Sequence, residues 1–171
     1  MTRTVRTFGE VVDAHQVEVM RYLCRLTSNG AEAEDLFQET FLRALPAFGR
    51  LRAGSNHRAW LYRIATYVFL NDRRAASRRK DTPLVVDVPE PRRAETTQDR
   101  HAIPDVYHQA ISRLPRRQRA AFVQRKLLRR TYAEIASSMG GSETGARANV
   151  YQAVRRLRRQ LRPVDGNGGT R

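Results

Sequence analysis

A proline-containing stretch in the middle of the chain limits what this sequence can fold into. Residues 81–104 read DTPLVVDVPEPRRAETTQDRHAIP, with four prolines and no sustained helical period. Proline lacks a backbone N–H donor and disfavours the helical conformation of the residue before it, so no continuous helix is expected here. The sequence therefore predicts a linker at 81–104 between two small units, 1–80 and 105–163, with a flexible glycine-rich tail at 164–171.

Both units have the apolar periodicity of helices. In the first unit, apolar residues recur at helical spacing over roughly 8–27, 31–47 and 57–79. Strand-like alternation is scarce apart from LVVDV in the linker. The predicted fold class is all-α, with two small helical bundles joined by the proline-containing linker.

The charge of the chain is concentrated in two blocks. The 171 residues include 32 Lys and Arg against 17 Asp and Glu, a net charge of +15. Residues 51–80 and 105–171 hold the positive excess, whereas 1–50 and 81–104 are slightly acidic. Basic blocks favour a polyanionic partner, because each neutralised phosphate releases condensed counterions. Nucleic acid is therefore the predicted partner of both blocks.

Cysteine usage and hydropathy exclude several other classes. Cys24 is the only cysteine, which excludes an internal disulfide and a multi-cysteine zinc site; we expect it to be a small buried residue on the first helix. No stretch approaches the roughly 18 consecutive apolar residues of a membrane span, and the start of the chain lacks the pattern of a secretory signal. A soluble cytoplasmic protein without membrane insertion is expected.

The end of the chain contains a helix-turn-helix pattern. In RRTYAEIASSMGGSETGARANVYQAVRRLRRQL, Thr131 and Glu134 have the spacing of a capping box. The glycine pair at 140–141 predicts a tight turn, and Ser142 can cap the next helix. Ala136 supplies a small residue where the two helices cross, which is typical of a helix-turn-helix.

The second helix of this motif has one apolar and one polar face. Its predicted buried residues are Ala146, Val150, Val154, Leu157 and Leu161. Its outward residues are Thr144, Ala148, Tyr151, Gln152, Arg155 and Arg159, flanked by Arg147 and Arg156. Such a helix suits the DNA major groove, where its first residues reach base edges and its arginines contact phosphates. The alternative is an ordinary helical hairpin with a solvated basic face.

An acidic stretch, AEAEDLFQETFLRAL at 31–45, interrupts this basic chain. A helical projection places Asp35, Gln38, Glu39 and Leu42 together on the outer side, with Glu32 one turn earlier. A metal-dependent nuclease site built from Glu32, Asp35 and Glu39 would require carboxylates or histidines from more than one element, and the four histidines show no ligand spacing. An exposed leucine among carboxylates favours a docking surface for an arginine-bearing protein; a solvated face is the alternative. No catalytic residue, metal site or cofactor is predicted.

The third helix of the first unit also has two faces. One side carries Leu61, Ile64, Ala65, Val68 and Asp72, and the other carries Arg63, Thr66, Tyr67, Leu70, Arg73 and Arg74. The second side combines aromatic and basic residues at the surface.

Three stretches together resemble the extracytoplasmic-function (ECF) group of bacterial RNA polymerase sigma factors. They are AEDLFQETFLRAL, AWLYRIATYVFLNDRR and LPRRQRAAFVQRKLLRRTYAEIASSMGGSETGARANVYQAVRRLR. Their order and spacing match the two-domain build of that family, with regions two and four joined directly, over about residues 8–162. The resemblance implies a sigma factor, not an enzyme, that binds core RNA polymerase and directs promoter recognition and transcription initiation.

The family also implies a role for each outer face. Its acidic helix docks on an arginine-bearing coiled coil of the beta-prime subunit, and the matching residues here are Asp35, Gln38, Glu39 and Leu42. Its next helix opens and reads the minus-ten promoter element, which implies contacts from Arg63, Tyr67, Asn71, Arg73 and Arg74. Aromatic platforms with a basic track are what single-stranded DNA requires. Its last helix enters the minus-thirty-five major groove, which implies contacts from Thr144, Arg147, Ala148, Tyr151, Gln152, Arg155 and Arg156.

The resemblance implies further partners and has visible departures. It implies contact with the beta flap of polymerase, a monomeric form on polymerase, and an anti-sigma factor that holds the free protein. The chain departs from the usual family residues at Tyr67, Gly145, Ala146, Asn149 and Gln152. A stand-alone helix-turn-helix regulator is the alternative for residues 105–171; it predicts a dimer on palindromic half-sites and leaves the acidic face unexplained.

Overall fold

The computed structural model of the chain describes residues 7–72 and 104–161. Several predicted features lie outside these ranges. They are residues 81–103 of the predicted linker, the predicted tail 164–171, and Arg73 and Arg74. The described residues form seven α-helices and no strand. They are α1 (Phe8–Leu26), α2 (Gly30–Phe48), α3 (His57–Asn71), α4 (Asp105–Ser112), α5 (Arg116–Phe122), α6 (Tyr132–Met139) and α7 (Glu143–Gln160). The predicted all-α class is confirmed.

Side-chain caps define the starts of the first three helices. Thr7 begins α1 with a reciprocal capping box to Glu10, and the Asn29 side chain accepts the Glu32 N–H at the start of α2. The Asn56 side chain accepts the backbone N–H of Ala59 at the start of α3. Each cap satisfies a backbone donor that has no partner inside the helix. The predicted starts of the three helices are therefore close to the observed ones.

The third helix ends earlier than the periodicity predicted. Helix α3 stops at Asn71, and Asp72 has the extended backbone angles φ −64° and ψ 107°. The prediction of one helix over 57–79 is wrong at Asp72, and its residues 73–79 lie outside the described ranges. Asp72 instead turns its carboxylate to Arg116 of the second half, at 3.4 Å.

The core of the first three helices includes a polar pair that the periodicity did not predict. Thr66 was expected on the outer side of α3, but it is fully buried. Its hydroxyl lies 2.9 Å from that of Tyr22 on α1 and donates to the carbonyl of Tyr62. Phe69 is also fully buried. Helix α3 is buried on more than one side because it packs against α1 and α2 and, in addition, against α5 and α6.

The helix-turn-helix prediction is confirmed in α6 and α7. Thr131 and Glu134 form the predicted capping box, and the Ser142 side chain caps α7 by accepting the N–H of Gly145. Gly140 ends α6 at φ +63° in the left-handed region, which glycine enters without the steric cost of a Cβ atom. A π-helical segment, Val123–Leu127, continues α5 before this motif.

The buried face of α7 differs slightly from the predicted one. Ala146, Val150 and Leu157 are buried as expected, and so is Ala153. Val154 and Leu161 are only partly buried. Both line an open groove of the second half.

Cys24 was expected to be buried, but it is exposed. It lies on the side of α1 near α4, where its backbone carbonyl oxygen is 3.1 Å from Nε2 of His108. Surrounding protein and the nearby Glu34 carboxylate both raise the pKa of the Cys24 thiol. In the described part of the chain, no helix has the length and apolar character needed to cross a membrane.

Candidate docking and nucleic-acid interfaces

The predicted docking face lies along the outer side of α2. Asp35, Gln38 and Leu42 are exposed and Glu39 is half-buried, and Leu42 has 68% of its surface open to solvent. Thr40 and Leu36, on the opposite side of the helix, are in the core. This face therefore presents carboxylates, an amide and a large apolar side chain together. Such a surface can receive cationic and apolar groups of a partner protein.

Glu39 is held by an arginine one turn later on the same helix. The Arg43 Nε donates to Glu39 Oε1 at 2.5 Å, and this hydrogen bond raises the pKa of Arg43. Exposed ion pairs of this kind contribute little stability, typically below about 1 kcal/mol. A partner arginine can therefore compete for the Glu39 carboxylate at small cost.

Glu32 is separated from the other carboxylates of the acidic stretch. It is buried, and its Oε1 accepts a hydrogen bond from Nη2 of Arg116 on α5 at 3.0 Å. Asp35 and Glu39 are on the outer side, so the three carboxylates considered for a nuclease do not form one site. Among residues 7–72 and 104–161, no three His, Cys, Asp or Glu side chains are grouped to hold a metal ion.

The predicted minus-ten residues within the described ranges lie on one exposed side of α3. They are Arg63, Tyr67 and Asn71. Tyr67 is 52% exposed, and its ring can offer a face for stacking. The Asn71 side chain donates to the carbonyl of Tyr67 at 2.8 Å, which orders the last turn. Arg63 is engaged elsewhere, because its Nη2 donates to Ser137 Oγ on α6 at 2.6 Å.

The predicted minus-thirty-five residues are all on the outer face of α7. Thr144, Arg147, Ala148, Tyr151, Gln152, Arg155 and Arg156 are exposed. The guanidinium carbon of Arg155 lies 5.9 Å from the centroid of the Tyr151 ring. Asn149 lies apart from this group, since its side-chain amide donates to the Gly145 carbonyl of its own helix at 2.8 Å.

Helical periodicity predicts that Tyr132 lies on the same buried side of α6 as Ile135, but its ring also belongs to this surface. Its ring is contacted by two arginines, with Arg147 at 4.5 Å and Arg125 at 4.7 Å from the centroid. Cation–π contacts at this distance restrain the guanidinium groups. Tyr132 thus connects α7 to the π-helical segment. Its position at the start of α6, three residues before a buried isoleucine, gave no signal of this second role.

An apolar groove lies on the other side of the second half. It has a volume of about 550 Å³ and is lined by Tyr107, Phe122, Lys126, Val154, Leu157, Arg158 and Leu161. These residues come from α4, α5, the π-helical segment and the end of α7. The sequence could not predict this groove because four separate segments form it. A partner in the groove would leave Tyr151 and Gln152 exposed.

Comparisons with known proteins identify the family of the chain. The model of Sigma-70 region 2 matches residues 11–79, and that of Sigma-70 region 4 matches residues 105–157. The ECF RNA polymerase sigma factor SigL of Mycobacterium tuberculosis is 32% identical over 89% of this chain and 87% of its own length. The RNA polymerase sigma-H factor of Pseudomonas aeruginosa is 28% identical over 93% of this chain and 88% of its own length.

These matches identify the protein family and the group within it. Regions 2 and 4 together are the parts of an RNA polymerase sigma factor, and the chain belongs to the ECF group of that family. As a sigma factor it is not an enzyme; it binds core RNA polymerase and promoter DNA and directs transcription initiation. The resemblance found in the sequence is confirmed, and the stand-alone regulator is not favoured.

A solved structure has the same fold. The sigma factor RpoE of Bartonella quintana, in complex with the anti-sigma factor NepR, matches 94% of this chain and 99% of its own with a TM-score of 0.71 at 22% identity.

Proposed function

We propose that this ECF sigma factor divides its task among three exposed faces. The α2 face docks on polymerase, the α3 face opens and reads the minus-ten element, and the α7 face reads the minus-thirty-five element. In this proposal residues 1–80 perform the first two tasks, 81–104 link the units, and 105–163 perform the third. The observation that carries it is that each exposed face has a different set of side chains. The α2 face has carboxylates and a leucine, the α3 face has a tyrosine and an arginine, and the α7 face has arginines with amide and hydroxyl groups.

The docking assignment rests on charge and exposure. Asp35, Gln38, Glu39 and Leu42 would receive an arginine-bearing coiled coil of the beta-prime subunit. Carboxylate–guanidinium pairs would orient the partner on this face. Burial of Leu42 would add an apolar contact of the type found at the centre of protein interfaces. The negative charge of this acidic patch repels phosphate and makes the patch unsuited to DNA.

The minus-ten assignment rests on an exposed aromatic ring beside basic groups. Tyr67 would stack on an unpaired base, Asn71 would hydrogen-bond to base edges, and Arg63 would contact phosphates, with Arg73 and Arg74 extending the basic track. Tyrosine replaces the asparagine usual in the family at Tyr67. Stacking tolerates any base, so this residue would contribute affinity more than sequence preference.

In the minus-thirty-five assignment, the residues that would contact bases and those that would contact phosphates lie in different parts of α7. Thr144, Arg147, Ala148, Tyr151 and Gln152 lie within its first ten residues, the part that in a helix-turn-helix approaches base edges. Arg155 and Arg156 lie nearer the other end and would contact phosphates. Asn149 is directed to its own helix, so its departure from the family arginine removes a charge from this face.

Protein partners of the second half would use the apolar groove. We assign it to the beta flap, because the groove is lined mainly by apolar residues and lies away from the DNA face of α7. Lys126 and Arg158 at its edge favour an acidic rim on the partner. An anti-sigma factor, as bound by the RpoE of B. quintana, would hold the free protein in the cytoplasm, and one copy would act on each polymerase.

The test is run-off transcription by core polymerase with and without the protein, on fragments of the host genome. Transcripts that start at a fixed distance from a shared two-part motif are expected only with the protein present. The full chain carrying Asp35→Ala is the loss-of-docking variant, and Glu34→Ala, which removes an exposed neighbouring carboxylate, is its matched control. Protection of a palindrome by the protein alone, with no gain of specific transcripts, would favour the stand-alone regulator instead.

A further inference from the structure

Arg129 has an unusual backbone conformation just before the helix-turn-helix. Its φ is +55°, and within residues 7–72 and 104–161 it is the only residue other than glycine with a positive φ. An L-residue in this left-handed region has a steric cost, because its Cβ atom approaches a carbonyl oxygen. Conformations of this kind cluster at ligand-binding and other functional positions. A functional reason for this arginine is therefore expected.

Arg129 lines a polar cavity that lies between the start of α3 and the segment leading into α6. The cavity has a volume of about 190 Å³. Three arginines and one carboxylate contribute to its lining, so the lining has a positive excess. Its polar residues are Asn56, Arg58, Tyr62, Arg129, Arg130 and Glu134. A cavity with this charge favours an anion.

Two of the three arginines have no ion-pair partner in the described part of the chain. Neither Arg129 nor Arg130 forms an ion pair there. Arg130 has one neutral partner, since its Nη1 donates to Gln124 Oε1 at 3.4 Å. Arg58 differs, because its Nε donates to Glu18 Oε2 at 2.7 Å. The charges of Arg129 and Arg130 are therefore available to a bound anion.

The one carboxylate of the lining is held by the cap of α6. Glu134 accepts hydrogen bonds from the backbone N–H and the hydroxyl of Thr131, at 2.8 and 2.9 Å. Because these donors hold the carboxylate at the start of the helix, it does not serve as the counter-charge of Arg129 or Arg130.

Tyr62 orders the arginines and adds a donor without a partner. The guanidinium carbons of Arg58 and Arg130 each lie 5.3 Å from the centroid of its ring, a distance at which cation–π contacts restrain them. The residue is only 2% exposed, and its hydroxyl oxygen has no hydrogen-bond partner of good geometry. Buried hydroxyl groups in folded proteins nearly always have a partner. This one therefore indicates a group that the chain does not itself supply.

We propose that this cavity binds a small phosphate-type oxyanion of the size of inorganic diphosphate, held by the three guanidinium groups with the Tyr62 hydroxyl as a further donor. Guanidinium forks match pairs of phosphate oxygens. An anion bound there would supply the counter-charge that Arg129 and Arg130 lack and the acceptor that Tyr62 lacks. The backbone conformation of Arg129 would place its guanidinium group for this contact.

The size of the cavity limits the ligand. Its volume of about 190 Å³ equals that of about six waters at roughly 30 Å³ each, and it is below the roughly 300 Å³ at which pockets for larger molecules begin. One or two phosphate groups therefore fit, and a whole nucleotide does not. Because Tyr62 is almost fully buried, a phosphate fixed in the backbone of a DNA duplex cannot reach its hydroxyl.

Binding can be measured without polymerase or promoter DNA. Isothermal titration calorimetry of the full-length protein with sodium diphosphate, at constant ionic strength, should give one site per chain. Sulfate at the same ionic strength should bind more weakly, because it offers fewer oxygens to the three guanidinium groups.

Arg129→Gly separates binding from folding. Glycine enters the left-handed region without steric cost, so the Tm of this variant should be equal to or above that of the wild type. The Kd for diphosphate should nevertheless rise by at least about threefold, because one cationic contact is lost. Arg113→Gln is the matched control, since it removes an exposed arginine of the same half outside the cavity. It should leave the Kd unchanged.

Tyr62→Phe tests the hydroxyl alone. The ring stays against both guanidinium groups, and a hydroxyl without a partner does not stabilise the fold, so the Tm should not fall. The Kd for diphosphate should rise by roughly 2- to 10-fold. Tyr107→Phe, which removes an exposed hydroxyl elsewhere in the chain, should have no effect on the Kd.

Three results would overturn the proposal. They are an unchanged Kd in both Arg129→Gly and Tyr62→Phe, an equal rise in Arg113→Gln, and binding of diphosphate at several equivalent sites per chain, which would show attraction by net charge only. Weaker binding of a DNA duplex by Arg129→Gly, with unchanged binding of diphosphate, would likewise refute the site and assign this arginine to the DNA backbone. All of these outcomes are independent of the function proposed above.

Discussion

Arg43 lies beneath the ring of Tyr67, with its guanidinium carbon 5.5 Å from the ring centroid. The same side chain binds Glu39 at 2.5 Å. Arg43 therefore joins the α2 face, proposed for polymerase, to the α3 face, proposed for the minus-ten element. A partner that binds the Glu39 carboxylate would therefore also disturb the Arg43 guanidinium group that contacts Tyr67.

Replacement of Tyr67 should weaken binding of the minus-ten strand. Loss of one base–aromatic stack costs about 1–3 kcal/mol, which is about a 5- to 150-fold rise in Kd. Tyr67→Ala should show this rise for a single-stranded minus-ten oligonucleotide bound to holoenzyme, measured by anisotropy, whereas Tyr67→Phe should retain most of the affinity.

Tyr151→Ala is the matched control, because it removes an exposed tyrosine from α7, which such an oligonucleotide does not reach. Equal weakening by Tyr151→Ala and Tyr67→Ala would contradict the assignment of Tyr67 to this strand.

Leu42 should contribute to binding of core polymerase. It is 68% exposed in the free chain, and full burial of a leucine contributes about 1.5–3 kcal/mol. Leu42→Ala should therefore raise the Kd for core polymerase by roughly 5- to 30-fold, for a loss of about 1–2 kcal/mol. Competition against a labelled sigma factor measures it. Val17→Ala removes a comparably exposed apolar group from α1; if it weakens binding as much as Leu42→Ala does, the docking face has been misplaced.

The two halves of the α7 face should respond differently to substitution. Arg155→Ala should weaken binding on all upstream sequences alike and lower the slope of log K against log salt by about 1. Gln152→Ala should change the preference at one base pair, by about 1–3 kcal/mol, and leave the salt slope unchanged. Affinities of the two holoenzyme variants over a panel of minus-thirty-five sequences and salt concentrations separate these outcomes. A uniform loss on every sequence for Gln152→Ala would show that it does not read a base.

Local rules in the sequence predicted much of this fold. Helix starts follow from caps such as Thr131 with Glu134 and Ser142, which depend on residues three apart and need no tertiary information. The exposure of Leu42 and Tyr151 likewise followed from helical periodicity alone.

The predictions failed where another helix, or the other half, completes the surroundings of a residue. Thr66, Glu32 and Asp72 each belong to one half, but their surroundings are completed by another helix or by the other half. A helical projection treats every helix as having one buried side, and α3 has more than one. The apolar groove was missed for the same reason, since no single segment contains it. Long-range contacts of this kind leave no periodic signal in a single sequence.

The helix-turn-helix should lose stability in acid through one carboxyl group. The backbone N–H of Thr131 and then its hydroxyl donate to Glu134, at 2.8 and 2.9 Å, and lower the pKa of Glu134. A carboxyl whose pKa is lower in the folded than in the unfolded state stabilises the fold at pH values above its unfolded pKa. That stability is lost as the pH falls through the lower, folded value. The window therefore lies below about pH 4.5.

Glu134→Gln should remove this part of the pH dependence. Because Glu134 is exposed, solvent screening keeps the charge contribution small, whereas Thr131→Ala removes the cap itself and should cost about 1 kcal/mol at neutral pH. Urea denaturation of the full chain at neutral pH and near pH 3 measures both, with Glu34→Gln as the control for loss of an exposed carboxyl. The Glu134→Gln deficit should shrink in acid, because the wild-type carboxyl is then protonated and has lost the same interaction. A deficit of equal size at both pH values would mean that the shape of the glutamate side chain, and not its charge, supports the cap.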